Sequence, residues 1–299
     1  MISLSECNAW FAVFLIESVA IVTVNLLSII LFMKNSNLRT RGMYLVINLT
    51  VADMLVGGFS MIGLLLFLRT GCDGETNTRS TSGMYITSVF VFYWFPMTSL
   101  TNIVVISLDR LHATFLLFKH RVIQTWVYWV TAVCVWVSAA MVSTLIVTWR
   151  VNLLGKEWTH FLFLWQSYCC LCLFVICVPY ASIIVKFLCG THPQQQGEAN
   201  RQKKNECDTF HNDDCIVIDM ATINFAIGSF VYLTSNSIYS LYYLKNLNAQ
   251  YALLVFSYAN SLVNLFIYTI RMPEFRKALL ILFKFRQKQD AAMIRLQAH

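Results

Sequence analysis

Charge is what this chain has least of. Asp, Glu, Lys and Arg make up 12% of its 299 residues, against about 25% in a soluble globular domain. Hydrophobic types reach 58% and the mean hydropathy is +0.61, which excludes an ordinary soluble domain and reads as an integral membrane protein. The longest polar stretch in the interior, 189–214 ("CGTHPQQQGEANRQKKNECDTFHNDD"), has little with which to build a core and reads as a solvated loop. Chemistry-bearing clusters are also missing. The apolar stretches hold no His/Glu metal constellation, no serine–histidine pair and no repeated half with broken helices, so an intramembrane enzyme or a transporter is disfavoured. The start lacks a basic region and a small-residue cleavage pattern, so the first apolar stretch reads as a retained signal anchor.

What is there is length without interruption. A helix needs roughly 20 mostly apolar residues to cross the hydrocarbon core, and seven such stretches occur, at about 10–33, 43–68, 84–115, 126–149, 161–188, 215–244 and 249–270. The expected fold is therefore all-α: a seven-transmembrane helix bundle in a domain spanning 1–285, followed by a tail over 286–299. Seventeen of the 22 Lys and Arg residues fall on one side of these spans, leaving Arg69, Arg79, Arg150, Lys156 and Lys245 on the other. The positive-inside rule then puts the amino terminus outside and the carboxyl terminus in the cytoplasm. The net charge of +7 becomes a property of the cytoplasmic face, suited to anionic membrane lipid and acidic partners and giving no argument for nucleic acid.

The cysteines divide by compartment. Cys134, Cys169, Cys170, Cys172 and Cys177 lie within spans and read as small buried hydrophobes. Cys189, Cys207 and Cys215 lie at or near the reducing face, leaving Cys7 and Cys72 as the one pair on the oxidising side and the candidates for a disulfide.

Polar residues inside apolar spans are costly and usually face the bundle interior. The segment 257–268, "SYANSLVNLFIY", lies in a run from Tyr251 to Ile270 with no charged residue. Asn260 and Asn264 are four apart and Ser261 three before Asn264, so the three share nearly one face and need an interior partner. Asp53 in the second span is the obvious one, with Ser99 about three turns up the third span from Arg110. The outcome is either a hard-cation site or an interhelical hydrogen-bond network. Glu17, in the outer half of the first span, is expensive enough to imply a task or a buried partner. After the seventh span, "MPEFRKALLILFKFR" sets Phe275, Leu279, Leu282 and Phe283 opposite Arg276, Lys277 and Lys284, which predicts a short amphipathic eighth helix over 273–285 along the membrane surface.

Taken in chain order, "VNLLS" with Asn25, "NLTVADM" with Asn48 and Asp53, "SLDRLHATF" with Asp109 and Arg110, "VCVWVS" with Trp136, "CVPYASIIV" with Pro179, the 257–268 segment ending at Tyr268, and "RMPEFRKAL" form a series. That series resembles the rhodopsin-like (class A) G-protein-coupled receptors over nearly the whole chain. The resemblance implies a plasma-membrane receptor, not an enzyme, that converts binding of an extracellular ligand into activation of a heterotrimeric G protein. It implies a coupling switch at Asp109, Arg110 and Tyr268, with Arg110 held by the neighbouring acid at rest. It further implies a sodium ion among Asp53, Ser99, Asn260, Ser261 and Asn264. The matching ligand region holds Phe92, Phe95, Tyr232, Asn236, Tyr251, Leu254 and Tyr258, aromatic and uncharged, which disfavours a biogenic amine.

The chain also departs from that family. Ser229, Val231 and Leu265 stand where a Trp and two helix-kinking prolines are usual, and Tyr85 stands where the usual disulfide begins. Lacking that bond, the chain is similar to the branch of melanocortin, cannabinoid, lysophospholipid and adenosine receptors. The missing prolines favour the alternative of a non-signalling seven-helix protein, a decoy or a partner subunit.

Overall fold

The computed structural model describes residues 4–35, 42–60, 83–116, 120, 122–152 and 158–189, and in the carboxyl third residues 248, 251–252, 254–255, 258–259, 261–264, 269 and 275–281. All regular structure among them is helical. Helix α1 is Leu4–Lys34, α2 is Met43–Leu55, α3 is Gly83–Phe115, α4 is Thr125–Asn152 and α5 is Trp158–Cys189. The expected span 215–244 lies outside the described residues, and the described residues of the seventh span are helical.

Among the described residues, three helical segments are long and apolar enough to cross a membrane: Ser5–Lys34, Ile86–Phe115 and Thr125–Thr148. Their polarity is inverted relative to a soluble protein. Along α1, Ile16, Val19 and Met33 are exposed while Asn25 and Ser28 are fully buried. Along α4, Trp126, Val133 and Met141 face outward while Ser143 is buried. Polar groups withdrawn among an otherwise apolar interior, with apolar side chains outside, are what lipid demands, since hydrocarbon cannot satisfy a hydroxyl or an amide.

The helices run past the expected ends for a simple reason. Between Leu4 and Lys34 there is neither Pro nor Gly to stop α1, so it starts six residues before the expected position. Its 31 residues give roughly 46 Å at 1.5 Å per residue, more than the hydrocarbon core requires. Glu6 in its first turn and Lys34 in its last complement the helix dipole. The second span, expected as one continuous helix over 43–68, instead changes at Val56 into a π-helical turn, Val56–Ser60, while 61–68 lie outside the described residues.

Helix α3 is the hub, packing against α2, α4 and α5, while α1 packs against α2 and its π turn. At one end, Phe14, Ile21, Val56, Phe95 and Tyr258 form a buried cluster. At the other, Leu31, Phe32, Val46, Phe275 and Ala278 form a second. Residues 275–281 are helical, within the expected amphipathic segment, and Phe275 packs on Phe32 with ring centroids 5.4 Å apart while Arg276 and Lys277 are exposed. Leu282 and Phe283 lie outside the described residues.

The reading of the span cysteines needs a correction. Cys169 and Cys172 are buried against Leu100 and Ile176, but Cys134 and Cys177 are exposed free thiols. A small apolar thiol is at home on a lipid-facing surface, so apolarity alone did not predict its side of the helix.

Candidate functional site

Asp53 is fully buried in α2 and receives hydrogen bonds from three side chains of two other segments. Ser99 Oγ of α3 donates to its Oδ1 at 2.6 Å. Ser261 Oγ donates to the same oxygen at 2.9 Å, and Asn264 Nδ2 donates to Oδ2 at 2.5 Å. Asn25 adds α1: its Nδ2 donates to the Ser261 carbonyl at 3.0 Å and to the Ile21 carbonyl one turn back at 2.9 Å. Ser261 and Asn264 are buried while Val263 between them is exposed, as three-residue spacing on a helix dictates.

Four of the five residues expected to hold a cation are therefore together, Ser99, Ser261 and Asn264 converging on the Asp53 carboxylate, and the fifth, Asn260, lies outside the described residues. All three donors to Asp53 are neutral hydroxyl or amide groups. The lone pairs on offer are those of carboxylate, hydroxyl and amide oxygens, which suit an alkali cation and not a soft metal.

Beside this site runs a second polar chain that sequence reasoning met only in part. Asn48 Nδ2 donates to Asn102 Oδ1 at 2.6 Å, and Trp136 Nε1 donates to Asn48 Oδ1 at 2.9 Å. Asn102 Nδ2 donates to the Thr98 carbonyl at 2.9 Å, and Trp94 Nε1 to the Trp136 carbonyl at 3.2 Å. These bonds tie α2, α3 and α4 together. Asn102 was not singled out, although its place three residues after Ser99, on the same face of an apolar helix, was the available signal.

The expected ligand residues Phe92, Phe95, Tyr251, Leu254 and Tyr258 do meet, in one aromatic cluster with Trp10 and Phe14 of α1 and Trp94 and Trp136. Phe92 lies edge-on to Tyr258 at 6.4 Å between centroids, and Trp94 stacks on Phe95 at 5.1 Å. Phe95 and Tyr258 are buried in this packing. Tyr232 and Asn236 lie outside the described residues. The contribution of Trp10 and Phe14 was not legible from the third, sixth and seventh spans alone.

At the opposite end of α3, Asp109 does not behave as expected. No ion pair joins it to Arg110 among the described residues. Its Oδ1 instead lies 3.1 Å from His120 Nε2 and accepts from Tyr128 at 3.3 Å. Arg110 Nε is buried without a hydrogen-bond partner. Tyr268, the third expected switch residue, lies outside the described residues.

Glu17 is buried, at 7% exposure, and neither carboxylate oxygen has a hydrogen-bond partner among the described residues. Its neighbour Ser18 donates to the Gly57 carbonyl in the π turn at 2.6 Å. Cys7 is disulfide-bonded; Cys72, its expected partner, lies outside the described residues. No protein-family model matches the chain, and no curated protein matches it.

Proposed function

We propose that the chain is a seven-helix receptor of the rhodopsin-like kind, set in the plasma membrane with its amino terminus outside and its carboxyl terminus in the cytoplasm. It passes the binding of an extracellular ligand to a heterotrimeric G protein. The observation that carries this reading is the convergence of Ser99 of α3 and Ser261 and Asn264 of the seventh span upon Asp53, with Asn25 of α1 bonded to the Ser261 carbonyl beside it. A buried carboxylate shared by α2, α3 and the seventh span couples the movement of those helices, because shifting one segment strands hydrogen bonds of the others. Sodium at Asp53 favours the arrangement in which those donors converge, and a ligand that separates the helices opposes it.

The ligand meets the aromatic, uncharged end of the bundle, around Phe92, Tyr251 and Leu254. Arg110 at the other end is the contact for the G protein. Ser229, where a Trp is usual, and Val231 and Leu265, where kinking prolines are usual, favour a second reading as a decoy or partner subunit. Nucleotide exchange on purified G proteins, with the chain reconstituted in lipid, separates the two. The receptor reading predicts basal or ligand-driven exchange that Arg110→Ala abolishes at unchanged surface expression. No exchange by the wild type with any G-protein class would leave the decoy reading standing.

A further inference from the structure

We infer that His120 is a positioning residue that holds Asp109 away from Arg110 and so leaves the Arg110 guanidinium uncommitted at rest. Its consequence for signalling rests on the receptor reading of Arg110; the pairing itself does not.

Neighbours in sequence on a helix point about 100° apart and do not face each other, so Asp109 can reach Arg110 only by bending back along the helix surface. The turn that follows α3 offers a better partner. His120 is placed by its amide, which donates to the Leu116 carbonyl at 2.9 Å, and by its carbonyl, which accepts from Ile123 at 3.2 Å. That turn sets its Nε2 at 3.1 Å from Asp109 Oδ1, with side-chain exposures of 22% for His120 and 10% for Asp109. Tyr128, buried in the first turn of α4, closes the group with its hydroxyl 3.3 Å from Asp109 Oδ1 and 3.4 Å from His120 Nε2.

On the other side, Gly42 faces both residues: a Cβ there would lie 3.6 Å from Arg110 Nη2 and 3.6 Å from Asp109 Oδ2. Arg110 Nε remains without a partner. The titratable and charged groups around His120 among the described residues are Asp109, Arg110 and His112 of α3 and Tyr128 of α4, with the His112 ring centroid 5.7 Å away. The Gly42 end of α2 brings no charge among the described residues, Arg39 and Arg41 lying outside them.

A charged imidazolium makes a charge-assisted bond to the carboxylate, whereas a neutral ring makes a weaker one. In either form His120 Nε2 occupies the Asp109 oxygen that would otherwise turn to Arg110.

Thermal melting of the purified full chain tests this without a G protein. Asp109→Asn and Arg110→Gln, singly and together, are measured in the wild-type and the His120→Ala backgrounds at about pH 6. The two substitutions should be additive in the wild type and non-additive by about 2–4 °C in His120→Ala, where Asp109 is free to pair with Arg110. Non-additivity already present in the wild type, or additivity in both backgrounds, would overturn the inference. His120→Gln, which keeps a donor toward Asp109, covers the case in which His120→Ala fails to fold; it should stay additive, and non-additivity in it would also overturn the inference. Basal nucleotide exchange should fall several-fold in His120→Ala, and unchanged exchange would show that the pairing does not control Arg110.

Discussion

Ser99 Oγ lies 2.6 Å from Asp53 Oδ1, joining α3 to α2 across 46 residues of sequence at a carboxylate with no exposed surface. Ser261 shares that oxygen and Asn264 takes the other. The two serine hydroxyls spend their protons on Asp53, which leaves their lone pairs for a cation.

If sodium completes this site, it binds the folded chain and raises its stability by RT ln(1 + [L]/Kd), about 2.7 kcal/mol at a hundredfold excess over Kd. The melting temperature should therefore be higher in sodium chloride than in choline chloride at equal ionic strength. Asp53→Asn should abolish the difference, since it removes the one formal negative charge at the site. Equal melting temperatures in the two salts would reduce the site to a hydrogen-bond network.

The π turn makes a sharper packing prediction. A Cβ on Gly57 would lie 2.7 Å from Ile21 Cγ2 and 2.9 Å from Ile21 Cβ, whereas one on Gly58 would meet only Val22 Cγ2 at 4.0 Å. Gly57→Ala should destabilise by about 1–3 kcal/mol, because α1 would have to move off the turn. Gly58→Ala should be neutral or stabilise by up to about 1 kcal/mol through lost chain entropy. Unfolding of the two variants side by side is the measurement, and equal effects would mean that α1 does not press on Gly57.

Glu17 predicts a gain on removal. Burying a polar group without a hydrogen bond costs about 1–3 kcal/mol by mutational measures, and both Glu17 oxygens are in that position. Glu17→Leu should raise the melting temperature by a few degrees while leaving the sodium response at Asp53 intact. A fall in stability would reveal a partner for the carboxylate.

Much of the site was legible because a hydroxyl or amide in an apolar helix has few places to go. Asn264, Ser261, Ser99 and Asp53 were each conspicuous against their surroundings, and helical spacing placed the first two on one face. The same reasoning reached Asn48 and Trp136 without finding Asn102 between them. The resemblance set Asp109 with Arg110, and no feature of the sequence pointed to His120 and Tyr128, the partners its Oδ1 has in the structure. Eleven and nineteen residues separate them from Asp109, beyond the reach of helical spacing. Apolar character likewise placed Cys134 and Cys177 within helices but not on a face, since a thiol suits lipid as well as a core.

By itself, the sequence determined that the chain is helical and apolar enough for membrane-crossing helices, and which residues along each helix are too polar to face hydrocarbon. Those properties are local: they follow from run length and from the 3.6-residue period. Only the tertiary structure decided the pairings that no pattern announced, as in Asn48 with Asn102, Asp109 with His120, and Ile21 with Gly57. It also decided that α2 yields to a π turn where α1 crosses it. Such pairings depend on interhelical distances of a few ångströms, set by the summed packing of side chains remote in sequence, and no single stretch of chain encodes them.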